Sequence, residues 1–117
     1  MVTIKSAKIF EALAIYAYPK SLIEIALFII MKMESIEVEP VVTSAYRKDD
    51  TGVHGNFRGL DFRTWDLNQI FIDELCDEVN RIWLYDPERP EKVCLLFHDV
   101  GRGPHLHLQV HPRTRRV

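Results

Sequence analysis

Apolar residues along this chain repeat with two periods, and the change from one to the other divides it into elements. After Ser6, a residue suited to cap a helix, Ile9, Phe10, Leu13, Tyr16 and Ala17 recur every three to four positions. Pro19 breaks that run and suits the first turn of a second helix over about residues 20–33. This second segment is apolar on nearly all sides, which predicts a central position. "VEPVVTSAY" then reads as a strand entering a loop, with Pro40 near its start.

The stretch "KDDTGVHGNFRG" is charged and glycine-rich and predicts a loop. "WDLNQIFIDELCDEVNRIW" returns to helical spacing, with Leu67, Ile70, Phe71, Leu75, Val79, Ile82 and Trp83 on one face. "DPERPE" reads as a turn, and "KVCLLFHDV", "GRGP" and "HLHLQVH" close the chain as a hairpin. Helices precede strands, so the expected class is α+β, a small antiparallel sheet packed against helices in one domain over residues 1–117.

Composition narrows the function classes. The chain has 117 residues, of which 47% are hydrophobic and 27% charged, an ordinary balance for a globular domain. A net charge of −2 gives no reason to expect a nucleic-acid partner, and the arginines at 113, 115 and 116 read as a solvated tail. Cys76 and Cys94 fit no metal or redox spacing and are expected as free thiols. The most apolar run, residues 22–31, contains Glu24 and is too short to span a bilayer. No leader pattern opens the sequence, so the expected location is cytoplasmic.

Candidate chemistry lies in two places. His54 and Asp61 have six residues between them, an odd offset that a regular strand would send to opposite faces. Gly55 and Gly59 can let the backbone bend and return both side chains to one point. His105 and His107 sit two apart on a predicted strand and share a face, about 6.6 Å apart along the chain. One can bind a metal while the other reaches the water that the metal activates. Two histidines, an aspartate and an open fourth position make a plausible catalytic zinc site. His111, about 13 Å beyond His107 on an extended chain, is left without a role.

Taken in order, "VTSAYRKDD", "HGNFRGLDFRT" and "HLHLQV" resemble the zinc D-alanyl-D-alanine carboxypeptidases and cell-wall endopeptidases that share a fold with the hedgehog signalling domain. The resemblance covers residues 42–110. It implies a hedgehog-like peptidase fold, Zn2+ as cofactor, and hydrolysis of a D-Ala-D-Ala or L-Ala-D-Glu bond in peptidoglycan stem peptides. It further implies His54, Asp61 and His107 as zinc ligands, with His105 assisting the activated water. Arg47, in "SAYR", would hold the substrate through its planar guanidinium. Such proteins from phages or prophages reach the cell wall through another factor.

Departures from the family pattern accompany these matches. Gly52 stands where the family usually has Ser, and Phe57 and Gly59 replace the Gly and Ala of "HxxGRAxD", keeping Arg58. Pro104 occupies the position, three before the last ligand, where many members carry a Glu or Asp. The base is then His105, or Asp99 from the hairpin turn, or there is none. In the last case the chain would be a zinc-binding module without catalysis. "HLHLQ" alone also resembles the histidine-triad nucleotide hydrolases and transferases, which leave "SAYR" and the His54–Asp61 pair unexplained.

Overall fold

The computed structural model describes residues 18–45, 51–56, 58–99, 101 and 103–117, together with the backbone of residues 3–4. The helix expected after Ser6 lies outside these residues. Helix α1 spans Lys20–Ser35, with Pro19 as its N-cap rather than within its first turn. The Pro19 carbonyl accepts the N–H groups of Leu22 and Ile23 at 3.1 and 3.3 Å.

Helix α1 is not central. Leu22, Ile25, Ala26, Ile29 and Met33 form its buried stripe. Ile23, Leu27 and Met31, spaced four apart on the opposite side, are 43%, 54% and 70% exposed. Helix α2, Gln69–Ile82, starts at Asn68, whose side chain accepts the Phe71 N–H at 2.8 Å. Its buried residues are Ile72, Leu75 and Val79. The expected apolar face is therefore corrected at one point. Ile70, two residues before Ile72 and so nearly opposite on the helix, is 71% exposed. Trp83 is buried, but as the first residue of a strand beyond the helix.

Five strands form the main sheet: β1 (Thr3–Ile4), β2 (Val41–Ser44), β3 (Gly59–Phe62), β5 (Leu95–His98) and β6 (His105–Gln109). Their order is β1-β2-β3-β6-β5. All pairs are antiparallel except β1 with β2, which is parallel, so one edge departs from the antiparallel sheet expected. Strands β4 (Trp83–Leu84) and β7 (Arg115–Arg116) form a separate antiparallel ribbon. The coarse class is α+β.

Register decides what each sheet face carries. Leu60 pairs with Leu108 and Leu108 with Leu95, while Phe62 pairs with Leu106 and Leu106 with Phe97. These residues face the helices and belong to one core. The alternate positions point the other way. Asp61 pairs with His107 and His98 with His105, so side chains with chemistry gather on the face away from the helices.

Two polar devices join the elements. Asn80 of α2 donates to the Leu95 carbonyl at 2.8 Å and accepts the N–H groups of Cys94 and Leu95 at 3.0 Å. This one amide satisfies the backbone where β5 begins. Asp86, 2% exposed, accepts from the Glu88 N–H, Arg89 Nε and Arg113 Nη2 at 3.0, 3.0 and 2.9 Å. His111, expected to be idle, belongs to this group. Its Nε2 lies 3.9 Å from Asp86 and its Nδ1 accepts the Arg113 N–H at 3.1 Å. Cys76 and Cys94 are free, and burial pushes their thiols up to about 11 and about 12. Among the described residues no helix is long and apolar enough to cross a membrane.

Replacing Asn80 by Ala leaves three backbone groups without their partner, so Asn80→Ala should cost about 2 kcal/mol in urea unfolding. An unchanged midpoint would contradict this role. For Asp86, burial alone would raise the carboxyl pKa, but the Glu88 N–H, Arg89, Arg113 and His111 outweigh it and hold it below the usual range. A depressed folded value means that the group's contribution is complete above its unfolded pKa of about 3.9 and is lost as pH falls through the folded value. The acid limb of stability below about pH 4 should flatten in Asp86→Asn.

Candidate metal centre

The centre is built where the loop before β3 folds back onto the sheet. The Val53 carbonyl accepts the N–H groups of Asn56 and Arg58 at 3.2 and 2.7 Å, which brings both residues back to Val53. His54–Asn56 form one 3-10 turn. The chain reverses, and His54 lies over β3 beside Asp61. The odd offset between the two residues is thus resolved by a bend, as expected.

Gly59 serves this bend by permitting close approach rather than by an unusual φ. A Cβ there would sit 2.8 Å from Val53 Cγ2 and 3.3 Å from two carbons of the His54 ring. The ring occupies the space that any side chain would need.

His54, Asp61 and His107 are 3%, 5% and 7% exposed. Asp61 Oδ1 lies 3.2 Å from His54 Nε2 and 2.8 Å from His107 Nδ1. The outer ring nitrogens are also held. His54 Nδ1 donates to the Ala45 carbonyl at 2.6 Å. On the other side, Gln109 Nε2 donates to the Val93 carbonyl at 2.9 Å, which orients the amide and turns its Oε1 toward His107. His107 Nε2 donates to that Oε1 at 3.2 Å. Both imidazoles therefore carry their proton outward, and both inner nitrogens converge on one carboxylate oxygen.

This is how metal-binding histidines are oriented: the ring nitrogen away from the ion donates to a carbonyl or amide oxygen. The ring centroids of His54 and His107 are 5.2 Å apart. Two imidazoles on one tetrahedral ion have centroids roughly 5 Å apart. The three donor atoms lie within 4.8 Å of one another, and His54, Asp61 and His107 could hold a metal ion.

Electrostatics agrees with that arrangement. Burial alone would raise the Asp61 pKa, but His107 and His54, once a second proton sits on each inner nitrogen, bond to the carboxylate as cations and hold it well below the usual carboxylate range. The group remains an anion in a buried place, which suits a cation ligand. His98 has its pKa pushed down by burial and by His107 and His105, against an opposing pull from Asp61 and Asp99.

The other expected residues are distributed unevenly. His105 is at the centre: its Nε2 lies 3.7 Å from Asp61 Oδ1, and its Nδ1 donates to the Gly103 carbonyl at 3.1 Å. Asp99 is exposed at the hairpin turn, where its Oδ1 accepts the N–H groups of Gly101 and Gly103 at 2.8 and 3.1 Å. Gly101 and Gly103 have φ of 94° and 88°, the left-handed region that glycine allows. Arg47 lies outside the described residues.

Sequence reading missed Gln109, Ala45 and His98. Gln109 continues the period of His105 and His107 on the same strand face, so alternation alone could have found it. Ala45 acts through its backbone and left no side-chain signal. The His98 ring lies 4.8 Å from that of His105 and 5.1 Å from that of His107, a neighbourhood set by the hairpin register. Comparison of the chain with protein-family models, with curated proteins and with solved structures finds no match.

If Gln109 fixes His107 as argued, Gln109→Leu should weaken metal binding about 10- to 100-fold, measured by competition with a chromophoric chelator. Unchanged affinity would remove Gln109 from the centre.

Proposed function

We propose that this chain is a zinc-dependent peptidase acting on peptidoglycan stem peptides, with a hedgehog-like peptidase fold. The observation that carries the reading is the convergence of His54 Nε2, Asp61 Oδ1 and His107 Nδ1 with both outer nitrogens held by oxygen acceptors. Two imidazoles and a carboxylate suit zinc better than magnesium or calcium, which favour all-oxygen ligation. The order of "SAYR", the His54–Asp61 loop and His-x-His supports the peptidase class through resemblance.

In this reading His54, Asp61 and His107 hold the ion, whose chemistry when bound is to polarise a carbonyl and make water a nucleophile near neutral pH. His105 is the proton carrier. Its Nδ1–H is anchored on the Gly103 carbonyl, which leaves Nε2 directed to the centre. Nε2 takes the proton of the attacking water and returns it to the leaving amine. Asp99 is engaged by the turn amides, which favours His105 over it as base. Arg47 is assigned the substrate carboxylate, holding the peptide so that attack is close to unimolecular.

The test incubates the zinc-loaded full chain with stem peptides ending in D-Ala-D-Ala and with peptides containing L-Ala-D-Glu. Cleavage of one class is expected, lost in His54→Ala and reduced about 10²- to 10⁴-fold in His105→Ala. A chain full of zinc that cuts neither is a binding module, and the peptidase reading fails.

A further inference from the structure

The five-residue gathering on the polar face holds more donors than one ion uses. His98, His105 and His107 also bring one ring nitrogen each within 4.8 Å of the others. This set overlaps the first through His107 and replaces His54 and Asp61 with His98 and His105. The His98 ring lies edge to face on that of His105, centroids 4.8 Å apart, and nearly parallel to that of His107 at 5.1 Å, so the three rings form one packed group. His105 also shows the outward-held proton of the two ligands already described, with Nδ1–H on the Gly103 carbonyl.

We infer that His98, His105 and His107 form a second position for a divalent transition-metal ion, alternative to the His54–Asp61–His107 position. The ligand class follows from the donors. An all-imidazole set takes zinc, copper, nickel or cobalt and discriminates against magnesium and calcium. Burial differs too: His54, Asp61 and His107 are all buried, whereas His98 and His105 are only partly so. The second position is the more open and the weaker one.

Sharing His107 makes the positions exclusive. A ring nitrogen has one lone pair, and the Nε2 of His107 carries a proton held by Gln109 Oε1, so the ring does not bridge two ions. The chain binds one ion at a time, in either place. Occupation of the outer position takes up His105. This inference rests on His107 as a metal ligand, and holds whether or not the chain is a peptidase.

Zinc titration of the full chain, followed by calorimetry, tests it with His54→Ala, His98→Ala and the double variant. Wild type should bind one zinc, and His98→Ala one zinc no more tightly than wild type. His54→Ala should still bind one zinc, at least 10-fold more weakly, and the double variant should bind at least a further 10-fold more weakly, since it keeps only Asp61, His105 and His107. The Asp61→Asn and Asp61→Asn/His98→Ala pair reads the same position without touching the loop that carries His54. Loss of all binding in both His54→Ala and Asp61→Asn, with folded proteins by circular dichroism, overturns the proposal. So does equal binding with and without His98 in both pairs. Neither result depends on hydrolysis, so failure here and failure of the peptidase reading are separate outcomes.

Discussion

The pairing of β3 with β6 in one register is the constraint on which the centre depends. Asp61 stands opposite His107 only because Leu60 stands opposite Leu108 and Phe62 opposite Leu106. Those four apolar residues are 0–3% exposed, and burial of each is worth roughly 1.5–3 kcal/mol. A slip of one residue would turn that apolar set to the opposite face and carry Asp61 into the core. The hydrophobic core on one side of the sheet thus sets the geometry of the polar face on the other. The centre needs no separate device to align its two strand-borne candidate ligands.

The third candidate ligand needs one. His54 comes from a loop, and its position is secured by the Val53-centred turn, by the bare backbone at Gly59 and by the Ala45 carbonyl. The cost of burying Asp61 as an anion is offset by positive charge at that point, from the two histidines protonated on their inner nitrogens or from an ion held between them. Protons are placed outward at His54, His105 and His107 by three different acceptors: a strand-end carbonyl, a hairpin-turn carbonyl and a side-chain amide. The same rule of orientation therefore comes from three unrelated parts of the chain.

How much of this was legible in the sequence follows from which interactions are local. Alternation put His105 and His107 on one face, and the closing hairpin and both described helices lie close to where periodicity placed them. The juxtaposition of His54 with Asp61 was legible through the glycine-rich bend between them. Periodicity misled where an apolar residue faced solvent. Ile70 and the Ile23–Leu27–Met31 stripe are exposed, and hydrophobicity alone does not say which stripe a helix buries. His98 was invisible because its neighbours are set by register across a turn. The role of Ala45 was hidden because only its backbone takes part. Asp99, read as a candidate base, is tied to the turn by glycine N–H groups whose positions depend on the turn conformation.

X-ray absorption at the zinc edge on the loaded, desalted full chain tests the central claim most directly. The arrangement requires nitrogen and oxygen neighbours at about 2.0–2.1 Å, outer-shell scattering from two imidazoles, and no sulfur at about 2.3 Å. A protein that retains no zinc after desalting, or a spectrum dominated by zinc–sulfur scattering from Cys76 or Cys94, would contradict it.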